Sequence, residues 1–290
     1  MGFVAQLSQR TVACSQLLRA MHIKAVRSLR RTVETTCDFN KEGIACSITH
    51  LPTLARSSGD VVREMFHYGK ILAAIADNNL NSDITIKLRP LGLHIDNNLA
   101  FESMRRLVAG AAEQGTFVWL DMEVPETVDA AIDFFRRIRH EYSNCGICLQ
   151  AYLDRTANDA AKLLRDHVPL RLVKGFYRKH DIAPWRDVTR NYERLMRLVL
   201  NESAYPAIAT HDLELIVTAT RQIRQFNIDR AEFQFFYGLR NKLARQLARD
   251  GFHVRIFIPY GNVWRFLLDG LSIFDIWHQG QRTLGLTPHL

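Results

Sequence analysis

Five side chains have the types and the placing to do chemistry together: Lys87, Asp121, Arg171, Lys174 and His211. Four of them close a short apolar run. Arg171 lies inside one, where a charge is costly to bury unless it is paired. Three cations, a histidine and a carboxylate gathered at one place suit an anionic ligand. They also suit a cofactor that gains negative charge on reduction. The chain contains no GxSxG elbow, HExxH pair, GxGxxG turn or phosphate-binding P-loop. Those signatures of hydrolases, zinc enzymes and nucleotide folds are excluded. His50 and His211 come from distant runs and make no set with metal spacing, so no metal is expected. Cys145-Gly146-Ile147-Cys148 is a CxxC. In a redox motif the first cysteine opens a helix; here the pair enters a strand, so the two side chains read as small core residues on opposite faces.

The elements that must position these groups repeat. Short apolar runs occupy 44–49, 83–88, 116–120, 146–149, 169–173, 205–209, 231–235 and 252–258. Helical periods lie between them. Val128, Ala131, Ile132, Phe135 and Ile138 recur at helical spacing behind Pro125, and Leu239, Leu243 and Leu247 do so ahead of Gly251. Asn262 caps a last helical pattern carrying Phe266, Leu267, Ile273 and Ile276. Eight strands, each followed by a helix, require parallel crossovers. Their number and span match a (β/α)8 barrel, a TIM-like α/β fold. A doubly wound sheet is the alternative, and it usually carries a glycine-rich phosphate loop. In a barrel, functional groups stand at the C-terminal strand ends. His50, Lys87, Asp121, Gln150, Lys174, Thr210 with His211, Gln234 and Tyr260-Gly261 all stand there.

The net charge is +8, and six of the cations fall within residues 1 to 33, which hold no acid. The rest of the chain is nearly balanced, which argues against a nucleic-acid partner. No apolar stretch is long enough to span a membrane. Five cysteines, at 14, 37, 46, 145 and 148, favour a reducing compartment and a cytoplasmic location. Residues 3–33 lack Pro and Gly and read as helical. Three readings of them stay open: a helix packed on the domain, a basic helix at an anionic membrane surface, and a mitochondrial transit peptide. Gly2 does not begin a myristoylation signal, because position 6 is Gln6. Domains divide as a basic helical extension, 1–40, and a barrel, 41–290. Residues 1–33 would provide any peripheral contact with the inner face of a membrane.

The strand ends resemble those of the proline dehydrogenase family over about residues 40 to 275. The matching stretches begin with Ile86-Lys87-Leu88, Leu91-Gly92-Leu93, Leu120-Asp121-Met122-Glu123 and Leu149-Gln150-Ala151-Tyr152. They continue with Arg171-Leu172-Val173-Lys174-Gly175-Phe176-Tyr177, Ala209-Thr210-His211-Asp212 and Glu232-Phe233-Gln234 with Tyr237-Gly238. Val254-Arg255 with Pro259-Tyr260-Gly261 and Trp264 complete the ordered set. The resemblance implies a flavoenzyme that oxidises the C–N bond of proline, or of a related amine, with noncovalent FAD. It implies cofactor contacts for Gln150, Arg171, Lys174, Gly175, Thr210, His211, Glu232 and Gln234. It implies catalytic or substrate-bordering roles for Lys87, Asp121, Arg171 and Tyr177. An electron acceptor follows from the chemistry, a quinone at a membrane surface being one candidate.

One part departs from the family. Its last helix carries Tyr-x-x-Arg-Arg-x-x-Glu, which grips the proline carboxylate. Here the corresponding stretch is Leu267-Leu268-Asp269-Gly270-Leu271-Ser272-Ile273-Phe274, and the last-strand tyrosine is Phe257. Phe257, Leu267 and Asp269 therefore join Lys87, Asp121 and Tyr177 as substrate-facing candidates. Thr49-His50-Leu51-Pro52 stands where the family favours an acidic residue and a Gly-Glu pair. Losing one charged grip on a carboxylate costs roughly 1.5–3 kcal/mol. Free proline then needs a substitute such as Arg265 or Arg178. Otherwise the substrate lacks or masks the carboxylate, or the protein is a flavin-binding relative without catalysis.

Overall fold

A computed structural model describes residues 25–51, 54–174 and 185–261. Eight parallel strands close into a barrel in the order β1 to β8. They are β1 Ala45–Leu51, β2 Ser82–Ile86, β3 Val118–Leu120, β4 Cys145–Gln150, β5 Leu170–Val173, β6 Pro206–Ala209, β7 Glu232–Phe236 and β8 His253–Gly261. Every expected run contributes a strand, and β1 pairs with β8 from Ala45↔Arg255 to Leu51↔Gly261.

The helices between them are α2 Ser58–Asp77, α3 Asn97–Glu113, α4 Val128–Glu141, α5 Thr156–Leu164, α6 Trp185–Glu202, α7 Leu213–Phe226 and α8 Asn241–Arg249, and α1 Leu29–Lys41 precedes the barrel. Their starts are written in the sequence. Ser57 and Asp60 form a capping box on α2, and Asp96 and Asp212 cap α3 and α7. Pro125 opens a short 3-10 turn that leads into α4, whose buried face is Val128, Ala131, Phe134, Phe135 and Ile138. Leu239 lies in the turn before α8 rather than within it, and Gly251, at φ +88°, stops that helix.

The continuous helical reading of 3–33 fails at its described end. Val26 makes a parallel β-bridge with Tyr260, and α1 begins only at Leu29, capped by Ser28. The bridge satisfies backbone groups at the last strand's outer end, which outweighs the absence of a helix breaker. α1 then packs outside β1 and β8. Phe39 is buried there against Tyr237, and Glu42 pairs with Arg245 on α8 at 2.5 Å.

The apolar side chains of the strands face the helices. Ile48, Ile84, Ile86, Val118, Leu120, Ile147, Leu172, Ile208, Phe233 and Ile256 are all fully or almost fully buried. The lumen is filled differently. Barrels of this class usually fill it with bulky aliphatic residues. Here the cross-barrel contacts are polar: Arg171 to Thr85, Arg171 to Gln234, and Arg255 to Asp83. Trp119 also lies inside, stacked on Tyr205 with its indole N–H donated to Asp83 at 2.9 Å. Gly146 makes room for that ring: a Cβ there would meet it at 2.5 Å.

Candidate active site

Along the strands successive residues alternate between the helices and the lumen, and several inward positions at or just past the C-terminal ends are polar, so polar groups gather at one mouth. Lys87, just past β2, donates to Asp121 at 2.6 Å. The other oxygen of Asp121 lies 3.9 Å from the guanidinium of Arg171. Burial alone would push the Asp121 carboxyl up, but Lys87 and Arg171 outweigh it and hold the group below the usual range. Arg171 is almost completely buried. It donates to Thr85 Oγ1 and Gln234 Oε1, each at 3.2 Å. Its guanidinium lies 4.9 Å from the Trp119 ring centre and 5.8 Å from that of Phe257. A cation so confined is a fixed electrostatic tool, because it reorganises little when charge develops beside it.

Gln150 closes β4. Its amide N–H donates to the carbonyls of Met122 and Glu123 at 2.7 and 3.0 Å. Glu123 accepts from the backbone of Arg89, and burial raises its carboxyl. A second group stands at β5 and β6. Lys174 donates to Asp212 at 2.7 Å and to Thr189 at 3.2 Å. Burial lowers the Lys174 ammonium against the pull of Asp212. Thr210 is buried and accepts from the Asp212 backbone. His211 Nε2 accepts from the Phe236 backbone N–H at 3.0 Å, and the ring stacks on Phe236. That bond fixes the neutral ring with its proton on Nδ1. Burial, with the nearby Arg240 cation, pushes the His211 pKa down to about 3. Below pH 6.5 the unfolded chain therefore takes up a proton that the folded chain refuses, so stability falls as pH drops. Thermal melts from pH 7 to 4 should show that loss, and His211→Gln, which keeps an acceptor in place, should lose this part of the slope.

The barrel thus brings together Lys87, Asp121, Arg171, Gln234, Phe257 and Gln150, with Lys174, Thr210 and His211 at the adjoining edge. Two candidates stand elsewhere. Glu232, two residues below Gln234, sits at the floor of the lumen. Its carboxylate is taken by Tyr205, Arg255 and Gln234 at 2.6, 2.8 and 2.8 Å. His50 lies between β1 and α2, 2.6 Å from Glu64 and stacked on His67. Gly175, Tyr177, Arg178, Arg265, Leu267 and Asp269 lie outside the described residues. Cys145 and Cys148 are buried and free, and desolvation raises both thiols to about 12, which suits packing and not redox exchange. Sequence reading missed Thr85, Asp83, Trp119 and Arg255. Their signal was the period-2 alternation Asp83-Thr85-Lys87 and Arg255-Phe257.

Two buried atoms at the mouth have no hydrogen-bond partner among the described residues: Gln150 Oε1, an acceptor, and Arg171 Nε, a donor. An acceptor and a donor beside fixed cations fit a flat heterocycle that both gives and takes hydrogen bonds and carries negative charge when reduced. The fold and site define a (β/α)8-barrel protein whose mouth gathers buried charged and polar groups. Comparison makes the family particular. The proline dehydrogenase family model matches residues 32–268, and the chain belongs to that family. It is 34% identical to proline dehydrogenase 2 of Bacillus subtilis subsp. natto over 239 residues, 80% of this chain and 78% of that one. It is 32% identical to proline dehydrogenase of Deinococcus radiodurans over 250 residues, 83% and 81% of the two chains. Among solved structures it resembles proline utilization A of Bdellovibrio bacteriovorus inactivated by N-propargylglycine, with TM-score 0.80 at 18% identity over 91% of this chain. Proline utilization A of Corynebacterium freiburgense matches with TM-score 0.75 at 16% identity over 99% of this chain. The chain spans about a third of those two proteins, 32% and 33%, and the likeness is one of fold.

Proposed function

We propose that this protein is a proline dehydrogenase that oxidises the C–N bond of L-proline, giving pyrroline-5-carboxylate, with FAD held noncovalently in the barrel mouth. The observation that carries the reading is the buried Arg171, aimed by Thr85 and Gln234 beside the Lys87–Asp121 pair. Bound FAD supplies the two-electron acceptor for the hydride leaving the carbon next to the nitrogen. Arg171 and Lys174 favour the negative charge that reduction brings, and Gln150, Thr210, His211 and Gln234 hold the ring system. Lys87 and Asp121 border the substrate, together with Tyr177. The amine must be neutral to give up a hydride, so a proton leaves it before oxidation, to water or to a base at the mouth.

The test is a visible spectrum followed by anaerobic L-proline. A yellow protein that bleaches supports the reading. A yellow protein that resists proline but bleaches with pyrrolidine-type amines lacking the carboxylate supports altered specificity, as Gly270 and Leu271 in place of the arginine pair suggest. A yellow protein bleached by no amine supports a binding role and overturns catalysis.

The same reading sends the electrons on to a quinone, with the basic N-terminal segment touching an anionic membrane surface. No helix among the described residues is long and apolar enough to cross a membrane. Removing residues 1–24 spares the Val26 bridge and α1. That truncation should abolish sedimentation with phosphatidylglycerol vesicles at low salt; unchanged sedimentation would sink the membrane assignment.

A further inference from the structure

We propose that Glu232, at the floor of the lumen, is a positioning residue that fixes the aim of Arg171 at the mouth by holding the Gln234 amide in one orientation. The inference deepens the functional reading above and rests on it for its consequence in turnover. The geometry is a short chain of groups with fixed donor and acceptor character. Gln234 Nε2 donates to Glu232 Oε1 at 2.8 Å, and Gln234 Oε1 accepts from Arg171 at 3.2 Å. A carboxylate only accepts, and a guanidinium only donates. Turning the amide over would set oxygen against oxygen below and NH2 against guanidinium above. The flipped form is therefore disfavoured at both ends, and the carbonyl is kept toward Arg171.

Glu232 is itself pinned. The Tyr205 hydroxyl donates to it at 2.6 Å and Arg255 Nε at 2.8 Å. Arg255 also meets Asp83 at 3.2 Å and donates to the Cys46 carbonyl at 2.7 Å. Asp83 accepts from Trp119, whose ring lies beneath Arg171. Two arms thus descend from Arg171, one through Gln234 and Glu232, the other through Trp119 and Asp83, and they converge on Arg255. Glu232, Asp83 and Arg255 are close to or fully enclosed, so water cannot replace a missing partner. Two carboxylates against one guanidinium also leave the floor one negative charge in excess, which offsets the buried cation of Arg171.

Glu232→Gln tests this, because the new amide can donate to Gln234 Oε1 and so permits the turned-over form. Crystals of the flavin-free variant should show Arg171 withdrawn from Thr85. The flavin-loaded variant should lose about tenfold in kcat, with KM for proline within about twofold, since the floor touches no substrate. The double variant Glu232→Gln with Gln234→Glu restores an acceptor-only group facing both neighbours. It should return Arg171 to Thr85 in crystals of the flavin-free protein. An unmoved Arg171 in Glu232→Gln, or an Arg171 that the double variant does not return to Thr85, overturns the proposal. If the single variant does not fold, the double variant decides alone by the position of Arg171. A wild-type protein that proline does not reduce would fail the functional reading only, because Arg171 placement is read without flavin.

Discussion

Arg171→Met leaves a folded barrel that turns over at most about a thousandth as fast as wild type, the loss typical when a preorganised charge is removed from a reacting centre. The fold survives for local reasons. Met is unbranched, apolar and adaptable, and it packs in the space beside the Trp119 and Phe257 rings. Thr85 Oγ1 keeps its bond to Ser47 at 2.9 Å, Gln234 keeps Glu232, and Asp121 keeps Lys87. Turnover does not survive, because the other buried cation of the lumen, Arg255, is committed to Asp83 and Glu232. Arg171→Lys should recover little: an ammonium is a point charge and cannot meet Thr85 and Gln234 together while facing Asp121. Single-turnover reduction of the bound flavin by proline measures the loss directly, and a melting curve checks the fold. Retained reduction in Arg171→Met would refute the role of this residue.

The barrel was legible because its strands are short and apolar and its breaks are capped. Ser57, Asp96, Asp212 and Gly251 mark helix ends by chemistry that acts within a few residues. The mouth was legible in part for the same reason: a polar residue at a strand's C-terminal end has one place to go. What lies deeper was not. Asp83 only opens an apolar run and Arg255 only belongs to a matching stretch, because the partner of each is on a strand far away in sequence that meets it across the lumen. The family resemblance gave Glu232 and Gln234 one shared role, contact with the cofactor. The rise along the strand, about 6.6 Å for two residues, puts them in different layers with different partners. Lys174 and His211 were expected at the mouth, but not their partners: Lys174 is engaged by Asp212 and His211 by the Phe236 backbone. The helical reading of the N-terminal segment missed Val26 because a β-bridge is decided by an available strand edge, here that of β8, and not by local propensity.

Asp121→Ala lowers kcat/KM for proline about 10²- to 10³-fold and destabilises the protein by about 3 kcal/mol, the cost of leaving a partly enclosed cation without its partner. Asp121 stands between two cations, with Lys87 at 2.6 Å and Arg171 at 3.9 Å. Removing it turns an attraction into a repulsion between those two groups in a lumen with little water. Lys87 then swings outward, and the substrate border is lost. Asp121→Asn keeps the shape but offers an NH2 to one of two donors, so it should fall between wild type and alanine. The pair argument makes a sharper demand. Lys87→Met with Asp121→Ala removes both charges, so its melting temperature should recover most of what Asp121→Ala loses, while kcat/KM stays low. Recovery of stability without recovery of turnover assigns the pair to the substrate. A double variant no more stable than Asp121→Ala would mean that Asp121 is held chiefly against Arg171, and the 2.6 Å contact with Lys87 would carry little of the energy of the mouth.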